Sequence, residues 1–405
     1  MYELLRGMHM VEASSFVACP TAAMYLAQMG ADVIRVDQIG GGPDFHRWPK
    51  ARNGQSYYWE GLNKGKRSVA LDLSRAEGRE LLLELATAPG ERAGIFLTNF
   101  PVNGFLSWER LSARRPDLVL TRVMGQADGG PALDYTVASA LGIPFMTGPE
   151  SLGDAPVNAV LPAWDLLTGA YAAFATMAAL HHRRETGQGQ EVRIPLADVG
   201  IATVANLGML AEALRSGDRK RYGNEVFGAF GRDFVTADGQ RIMLMAITPK
   251  QWRGLVRVLD MAADVAGIET SRGTSFAQDE AERFLHRDAL YPLVEARVAQ
   301  RRLAELAPAL DAEGCCWGPY RRMEEAARDP ALVGGNPLFE AIRHPSGETY
   351  PAPGAMATLP AASRIGVRPA PVLGAHSEEV LTELLGLGSG QFSALVDRKL
   401  VGRPA

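Results

Sequence analysis

Cysteine is scarce: Cys19, Cys315 and Cys316 are the only three in 405 residues. Three thiols cannot build a disulfide framework, and the adjacent pair lacks metal-ligand spacing, so both of its members are expected as small buried residues. Long apolar runs are missing as well. No uninterrupted stretch approaches the roughly 18 residues of a membrane helix, and the opening MYELLRGMHMVEASS has no basic start followed by an apolar core. A soluble cytoplasmic protein without a membrane partner is the expectation. Charge of one sign never accumulates: the formal net charge is -4 and the most basic patch, Arg219 to Arg221, is short. Nucleic acid is therefore not an expected partner. The seven histidines (His9, His46, His181, His182, His286, His344, His376) show no ligand spacing, so no metal is expected. No G-x-G-x-x-G opens the first helix; Gly40, Gly41 and Gly42 follow the second strand instead. That disfavours a dinucleotide cofactor.

What is present is a globular composition, 47% hydrophobic and 22% charged, in a chain long enough for two domains. Residues 8–13 read as a strand, 20–29 as a helix and 31–36 as a second strand. Further strands are expected at 66–73, 94–100 and 117–125, with helices between them. Ser74 and Glu77 form a capping-box pattern before GRELLLELA. Strands alternating with helices predict a doubly wound, Rossmann-like α/β domain with a parallel sheet. Such sheets take ligands beyond the strand C-termini, where Asp37, Gly40, Asn99, Phe100 and Gly125 fall. Residues 197–216 read as one helix, 216–224 as a linker, and GRDFVTADGQRIMLMAI as a hairpin turning at Ala237–Gly239. LGAHSEEVLTELLGL reads as a terminal amphipathic helix. The expected division is a large α/β domain over 1–215, a linker at 216–224, a smaller α+β domain over 225–330, and a return segment at 331–405 that completes the large domain.

The stretch LPAWDLLTGAYAAFATMAALHHRRETGQGQEVRIPL is the centre of the chain. Pro162 suits a helix start, Asp165 lies in the first turn, basic residues close the helix, and Gly187 stops it. Its body is too apolar and too rich in Ala and Gly for a surface helix, so neighbours are expected to approach it closely. From the pattern alone, an Asp in a first turn is a dipole or capping partner.

The run from Asp165 through Arg184, Thr186, Gly187, Gly189 and Gln190 resembles the central signature of the class III CoA-transferases. ADVIRVD, NKGKRSVALDL, TNFPVNG, GPALDYT, YGN, ADGQRIMLM and LGAHSEEVL follow in that family's order, so the resemblance covers nearly the whole chain. IGGGPDFHRWP, WEGLNKGKRS, FMTGP, VLPAWD and GAFGRDF carry a closer likeness to an intramolecular branch, in which CoA moves between the two carboxyl groups of mesaconyl-CoA. The resemblance implies a large domain built from both chain ends, a small middle domain, and two ring-like subunits interlocked as a homodimer. It implies Asp165 as nucleophile, forming an aspartyl anhydride and an enzyme–CoA thioester. It brings coenzyme A as part of the substrate, with no tightly bound cofactor. An aspartate with an ordinary pKa near 3.9 would be ionised without a separate base. CoA contacts would fall to Ala18, Gln38, Ile39, Leu71, Asp72, Leu73, Ser74, Asn99, Phe100, Asp134 and Tyr135.

Where the formyl-CoA transferase branch has His, Gln and Arg, this chain has Ser15, Val17 and Gln38. Arg47, Lys64, Lys66 and Arg75 are the cations that could replace the missing phosphate contacts. A diacid substrate also needs a cation for its second carboxylate, for which Arg47, Arg52 and Arg232 are candidates, and the turn Gly228–Gly231 could supply oxyanion-binding amides. CoA-ester racemases share the fold but use a histidine after the fifth strand; no histidine lies between His46 and His181, and Leu133 stands about there. An intermolecular CoA-transferase and a non-catalytic CoA-binding protein are the alternatives.

Overall fold

The computed structural model describes residues 1–404. The chain forms two compact units, one of Met1–Leu141, Ala159–Arg215 and Asp329–Ala405, the other of Gly142–Asn158 and Ser216–Arg328. The larger unit holds six strands: β1 (His9–Ala13), β2 (Asp32–Gln38), β3 (Arg67–Leu71), β4 (Ile95–Thr98), β5 (Val119–Met124) and β6 (Gln190–Pro195). They lie in the order β3-β2-β1-β4-β5-β6 and every pair is parallel. The strand order reverses between β1 and β4, where a doubly wound sheet opens its ligand crevice.

Helices cover both faces, which is why these strands are nearly continuous apolar runs. On one face Val11, Ile34, Phe96 and Leu120 pack with Leu82 and Leu85 of α3 (Ala76–Ala86) and with Val380 and Leu381 of the helix Ser377–Leu385. On the other, Met10, Val33, Leu97 and Val119 meet α1 (Ala18–Gln28) and the central helix, Ala163–Thr186. The polar exception sits toward the C-terminal ends of β1 and β2. Glu12, Arg35, Asp37, Asp44 and Lys66 are all buried there. Lys66 Nζ lies 2.7 Å from Glu12, and Arg35 lies 2.9 Å from Asp37 and 2.8 Å from Asp44. Its guanidinium also sits 4.7 Å from the centre of the Trp59 ring. Charges survive burial only when paired in this way.

The smaller unit is built on β7 (Phe230–Val235), β8 (Arg241–Ala246) and β9 (Cys316–Pro319), an antiparallel sheet in that order. Its hairpin turns through Gly239, whose φ is +76°. Phe230, Phe234, Trp252, Leu255, Leu290 and Leu306 form its core. Arg221 is buried and donates to the carbonyls of Pro144 (3.2 Å), Gly153 (3.1 Å), Thr147 and Ala155. One guanidinium thus gathers residues 142–158 into this unit.

Several expectations change. Residues 142–158, expected in the first domain, and 216–224, expected as a linker, both belong to the second unit, where Arg221 joins them. The helix expected over 197–216 is two, Leu196–Asn206 and Met209–Ser216, broken at Gly208 with φ +78°. The Ser74–Glu77 capping box does not form: Arg75 is the N-cap, and Ser74 Oγ donates to Asp72 instead, at 2.5 Å. The helix Ser377–Leu385 is not terminal, since Ser389–Asp397 follows. Cys316 is exposed and Cys315 half-buried, because Cys316 opens the edge strand β9. A further antiparallel hairpin, β10 (Phe339–Arg343) and β11 (Thr349–Pro353), lies in the return segment, beyond the elements expected from the sequence.

The central helix is tightly packed on one side only. A Cβ on Gly169 would sit 2.7 Å from the Ala18 carbonyl oxygen and 2.9 Å from Thr21 Cβ. The opposite side is exposed at Leu167, Tyr171 and Phe174, so the expected fully buried helix is half-covered in the single chain. Gly169→Ala sets two effects in opposition: about 1 kcal/mol of helix propensity gained and about 1–3 kcal/mol lost to overpacking. The contact is with backbone, which cannot move alone, so overpacking wins. The urea midpoint of the variant falls; a raised midpoint would show that the two helices are not in contact here.

Candidate active site

The central helix begins without a side-chain cap of its own, because its N-cap is Pro162. The missing acceptor comes from another helix. Asp134, the first residue of the helix Asp134–Ala140, is buried and its Oδ2 accepts from the backbone N–H of Trp164 at 2.7 Å and of Asp165 at 3.0 Å. A carboxylate is the best acceptor for such orphan donors at the positive end of a helix.

This arrangement frees Asp165. It is half-buried, and among the described residues neither carboxylate oxygen accepts a hydrogen bond. Burial raises its pKa to about 6, the Asp134 charge adds to the rise, and the Arg47 guanidinium opposes it. The expected value near 3.9 is therefore corrected upward, the physical reason being desolvation beside a second carboxylate. The first-turn aspartate that does the capping is Asp134, not Asp165.

Arg47 is the cation of the site. Its guanidinium lies 5.3 Å from the Tyr58 ring centre and 5.6 Å from that of Phe16. The Tyr58 hydroxyl is buried and has no hydrogen-bond partner among the described residues. Burial pushes its pKa up to about 12, with Arg47 lowering and Asp165 raising it. A bare carboxylate, a guanidinium and an unsatisfied hydroxyl thus share one electrostatic neighbourhood. A buried polar atom left unpaired costs about 1–3 kcal/mol, which a bound ligand can recover. Sequence reasoning missed Tyr58; in the stretch YYWEGL nothing sets it apart from Tyr57 beside it. Arg52 is exposed and acts on Tyr57 rather than Asp165. Arg232 belongs to the smaller unit, where it pairs with Glu295 at 3.0 Å and lies over Phe234 and Tyr291. It is not a spare cation.

The residues expected to touch CoA fall into two sets. Gln38, Ile39, Asp72, Leu73 and Ser74 cluster beyond β2 and β3, where Gln38 accepts from Leu73 N–H at 2.9 Å and Asp72 Oδ1 from Ser74 N–H at 3.1 Å. Tyr135 is exposed, its hydroxyl donating to Val160 O at 3.3 Å. The Phe100 carbonyl accepts from Arg122 at 2.7 Å, which leaves the half-buried ring at the strand end. The other side chains are occupied or covered. Asp134 caps the central helix, Leu71 is buried, and Ala18 is a buried first residue of α1 rather than a loop residue. Asn99 exchanges both its amide groups with the backbone of Ser15, at 3.2 and 3.0 Å. Lys64 and Lys66 are buried, desolvation lowering both to about 8, with Lys66 held by Glu12 and Asn63. Arg75 donates to the Arg398 carbonyl at 2.9 Å and pairs with Glu77. These cations do not stand free for phosphates.

The glycine motif after the central helix is structural. Gly187 takes φ +72°, and a Cβ on Gly189 would lie 2.2 Å from the Leu118 carbonyl oxygen. Arg183 donates to the carbonyls of Ala93 and Gly94 at 3.0 Å each. At 1.5 Å per residue this end is roughly 30 Å from Asp165. In the turn Gly228–Gly231, Gly228 takes φ +80° in open space, while Gly231 is closed in by Val226 and Met245.

Replacing Asp134 by Asn keeps an acceptor for the helix amides and removes the charge. The Asp165 titration, followed by carboxyl-carbon NMR, then moves from about 6 toward the ordinary aspartate range near 4. An unmoved midpoint would show that Asp134 does not act on Asp165.

Comparison with known proteins identifies the family. The model of "CoA-transferase family III" matches residues 5–377. The chain is 44% identical over 407 residues to 2-methylfumaryl-CoA isomerase of Chloroflexus aurantiacus, covering 100% of this chain and 99% of that one. It is 30% identical to succinate–glutarate CoA-transferase of Agrobacterium fabrum, over 94% of this chain and 95% of the relative. A CAIB/BAIF family protein from Brucella suis superimposes with a TM-score of 0.74 at 25% identity, covering 95% of this chain and 100% of that one. With a family model spanning nearly its whole length and a full-length relative at this identity, the chain belongs to CoA-transferase family III.

Proposed function

We propose that this protein is an intramolecular CoA-transferase that isomerises 2-methylfumaryl-CoA (mesaconyl-CoA), moving CoA from one carboxyl group to the other. The full-length likeness to an enzyme of that name supports the substrate. The observation that carries the chemistry is the Asp165 carboxylate, which accepts no hydrogen bond because Asp134 has taken the helix amides.

An Asp165 oxygen attacks the thioester carbonyl, the C–S bond breaks, and CoA thiolate leaves an aspartyl–acyl anhydride. The thiolate then attacks the aspartyl carbonyl, giving an enzyme–CoA thioester and free mesaconate. The diacid shifts, and its other carboxylate attacks the aspartyl thioester, expelling thiolate again. Attack of that thiolate on the new acyl carbon restores the Asp165 carboxylate and releases the isomer. No proton is gained or lost at any step. Splitting the exchange in this way replaces one hard step with several easier ones. A pKa of about 6 makes Asp165 more basic than an ordinary aspartate yet still ionised at neutral pH. Arg47, with the Tyr58 hydroxyl, holds the carboxylate that is not reacting, so the released diacid stays in place. Coenzyme A enters only as part of the substrate and lies along Gln38, Ile39, Asp72–Ser74, Phe100 and Tyr135.

A second copy of the chain completes the molecule in this reading. Leu167, Tyr171 and Phe174, spaced i, i+4, i+7 on the central helix, are 39%, 51% and 66% exposed in one chain. An apolar stripe of this kind suits a homodimer interface. A cytoplasmic location is part of the same proposal.

Asp165→Ala lowers kcat by about three orders of magnitude or more while CoA still binds; retained turnover would remove Asp165 from its role. Because the pKa is raised, the active ionised form is lost as pH falls through about 6, so kcat/KM declines on the acid side of that value. Labelled free mesaconate stays out of the product during turnover. Ready incorporation would make the enzyme an intermolecular transferase.

A further inference from the structure

Arg47 and Tyr58 depend on a short helix, α2 (Tyr57–Leu62), of only six residues. A helix of that length does not hold its own shape or direction. Its N-cap, Ser56, accepts from Trp59 N–H at 3.2 Å and donates its hydroxyl to the Arg47 carbonyl at 2.6 Å. Tyr58, two residues on, lies under the Arg47 guanidinium. Positions i and i+2 of a helix face apart, and Glu60 accordingly points elsewhere.

Glu60 is 1% exposed. Its Oε1 accepts from the Ser346 backbone N–H at 2.6 Å and its Oε2 from the Tyr350 hydroxyl at 2.5 Å. Both partners belong to the β10–β11 hairpin, far along the chain. Around this pair the Tyr57 hydroxyl donates to Glu348 at 2.6 Å, and Asn53 Nδ2 donates to the Ser346 carbonyl at 3.0 Å. Tyr350 is itself held flat against His344, ring centres 3.6 Å apart. Burying a carboxylate is costly, and apolar packing of equal volume is often no less stable. What the carboxylate provides and apolar packing does not is directional hold on a helix that cannot orient itself.

We infer that Glu60 is a positioning residue for carboxylate recognition: by fastening α2 to the β10–β11 turn, it sets where Arg47 and Tyr58 stand relative to Asp165. The inference rests on the function proposed above for the identity of the ligand, but not for the coupling of Glu60 to Arg47. A double-variant cycle of Glu60→Ala and Arg47→Ala tests it. Glu60→Ala raises KM for 2-methylfumaryl-CoA by about tenfold or more, through misplacement of the guanidinium, with kcat changed much less. Adding it to Arg47→Ala raises KM no further. Glu60→Gln, which can still accept from Ser346 and donate to the Tyr350 oxygen, restores KM to about twofold of the parent.

The same cycle is read without substrate on the carboxyl-carbon NMR titration of Asp165, whose facing charged groups are Asp134 and Arg47. Arg47→Ala removes the opposing cation and Glu60→Ala displaces it, so either single variant raises the midpoint, and the double variant raises it no further than Arg47→Ala does. This second readout separates the two claims. Coupled midpoints without turnover of the thioester would sink the function and leave the coupling. Independent midpoints or multiplied KM effects would overturn the coupling and leave the function. A fall in melting temperature with KM and midpoint both unmoved would also overturn it, making Glu60 merely structural. Should Glu60→Ala fail to fold, Tyr350→Phe, which removes a single hydroxyl, takes its place in the cycle with the same outcomes deciding.

Discussion

The carboxylate of Asp134 on the first amides of the central helix is the contact on which the rest turns. Helix starts need acceptors for their free N–H groups, and the nearest side chain able to supply one is often the first-turn acid itself. Had Asp165 filled that need, its oxygens would be tied to backbone donors and its pKa held low. Because Asp134 fills it from a neighbouring helix, Asp165 is left with unpaired oxygens and a second negative charge beside it. Capping and activation of the carboxylate are one arrangement.

The sheet provides a floor firm enough for that arrangement. The α1 and central helices meet through Gly169, close enough that even a methyl group would strike backbone. Above β1 and β2, the buried group of Arg35, Asp37, Asp44, Glu12 and Lys66 ties the segment after β2 to the strands. Arg47 follows three residues after Asp44, so the cation that faces Asp165 is tethered at one side by the sheet and at the other by Ser56 of α2. The return segment of the chain enters the same scheme, since its β10–β11 turn grips Glu60. Residues widely separated in sequence therefore converge on one small volume.

Periodic patterns were readable because they are local. Alternating strands and helices announced the parallel sheet, and Pro162 and Gly187 marked the ends of the central helix. What escaped depends on partners distant along the chain. Asp134 looks like any helix-start acid, and nothing local says that it caps a helix 30 residues later. Asn99 and Lys66 looked available for a ligand, yet the fold spends them on Ser15 and Glu12. The run through Thr186, Gly187, Gly189 and Gln190 marks the family, but Gly187 turns the chain at the end of the helix and Gly189 admits the backbone of Asp117 and Leu118 just before β5. Arg221, in a stretch that reads as a linker, is buried among carbonyls of a segment more than sixty residues earlier. Tyr58 is informative only through an absence, an unpaired hydroxyl, which no sequence displays.

Covalent capture at Asp165 examines the central claim most directly. The enzyme is incubated with 2-methylfumaryl-CoA, quenched with borohydride, digested, and the peptide spanning the start of the central helix is weighed. The account predicts an Asp165 carboxyl converted to the alcohol, the mark of a reduced enzyme–CoA thioester, in wild-type protein incubated with substrate and not in its absence. Continued turnover with an unmodified Asp165 peptide, or with the modification on another residue, would contradict it.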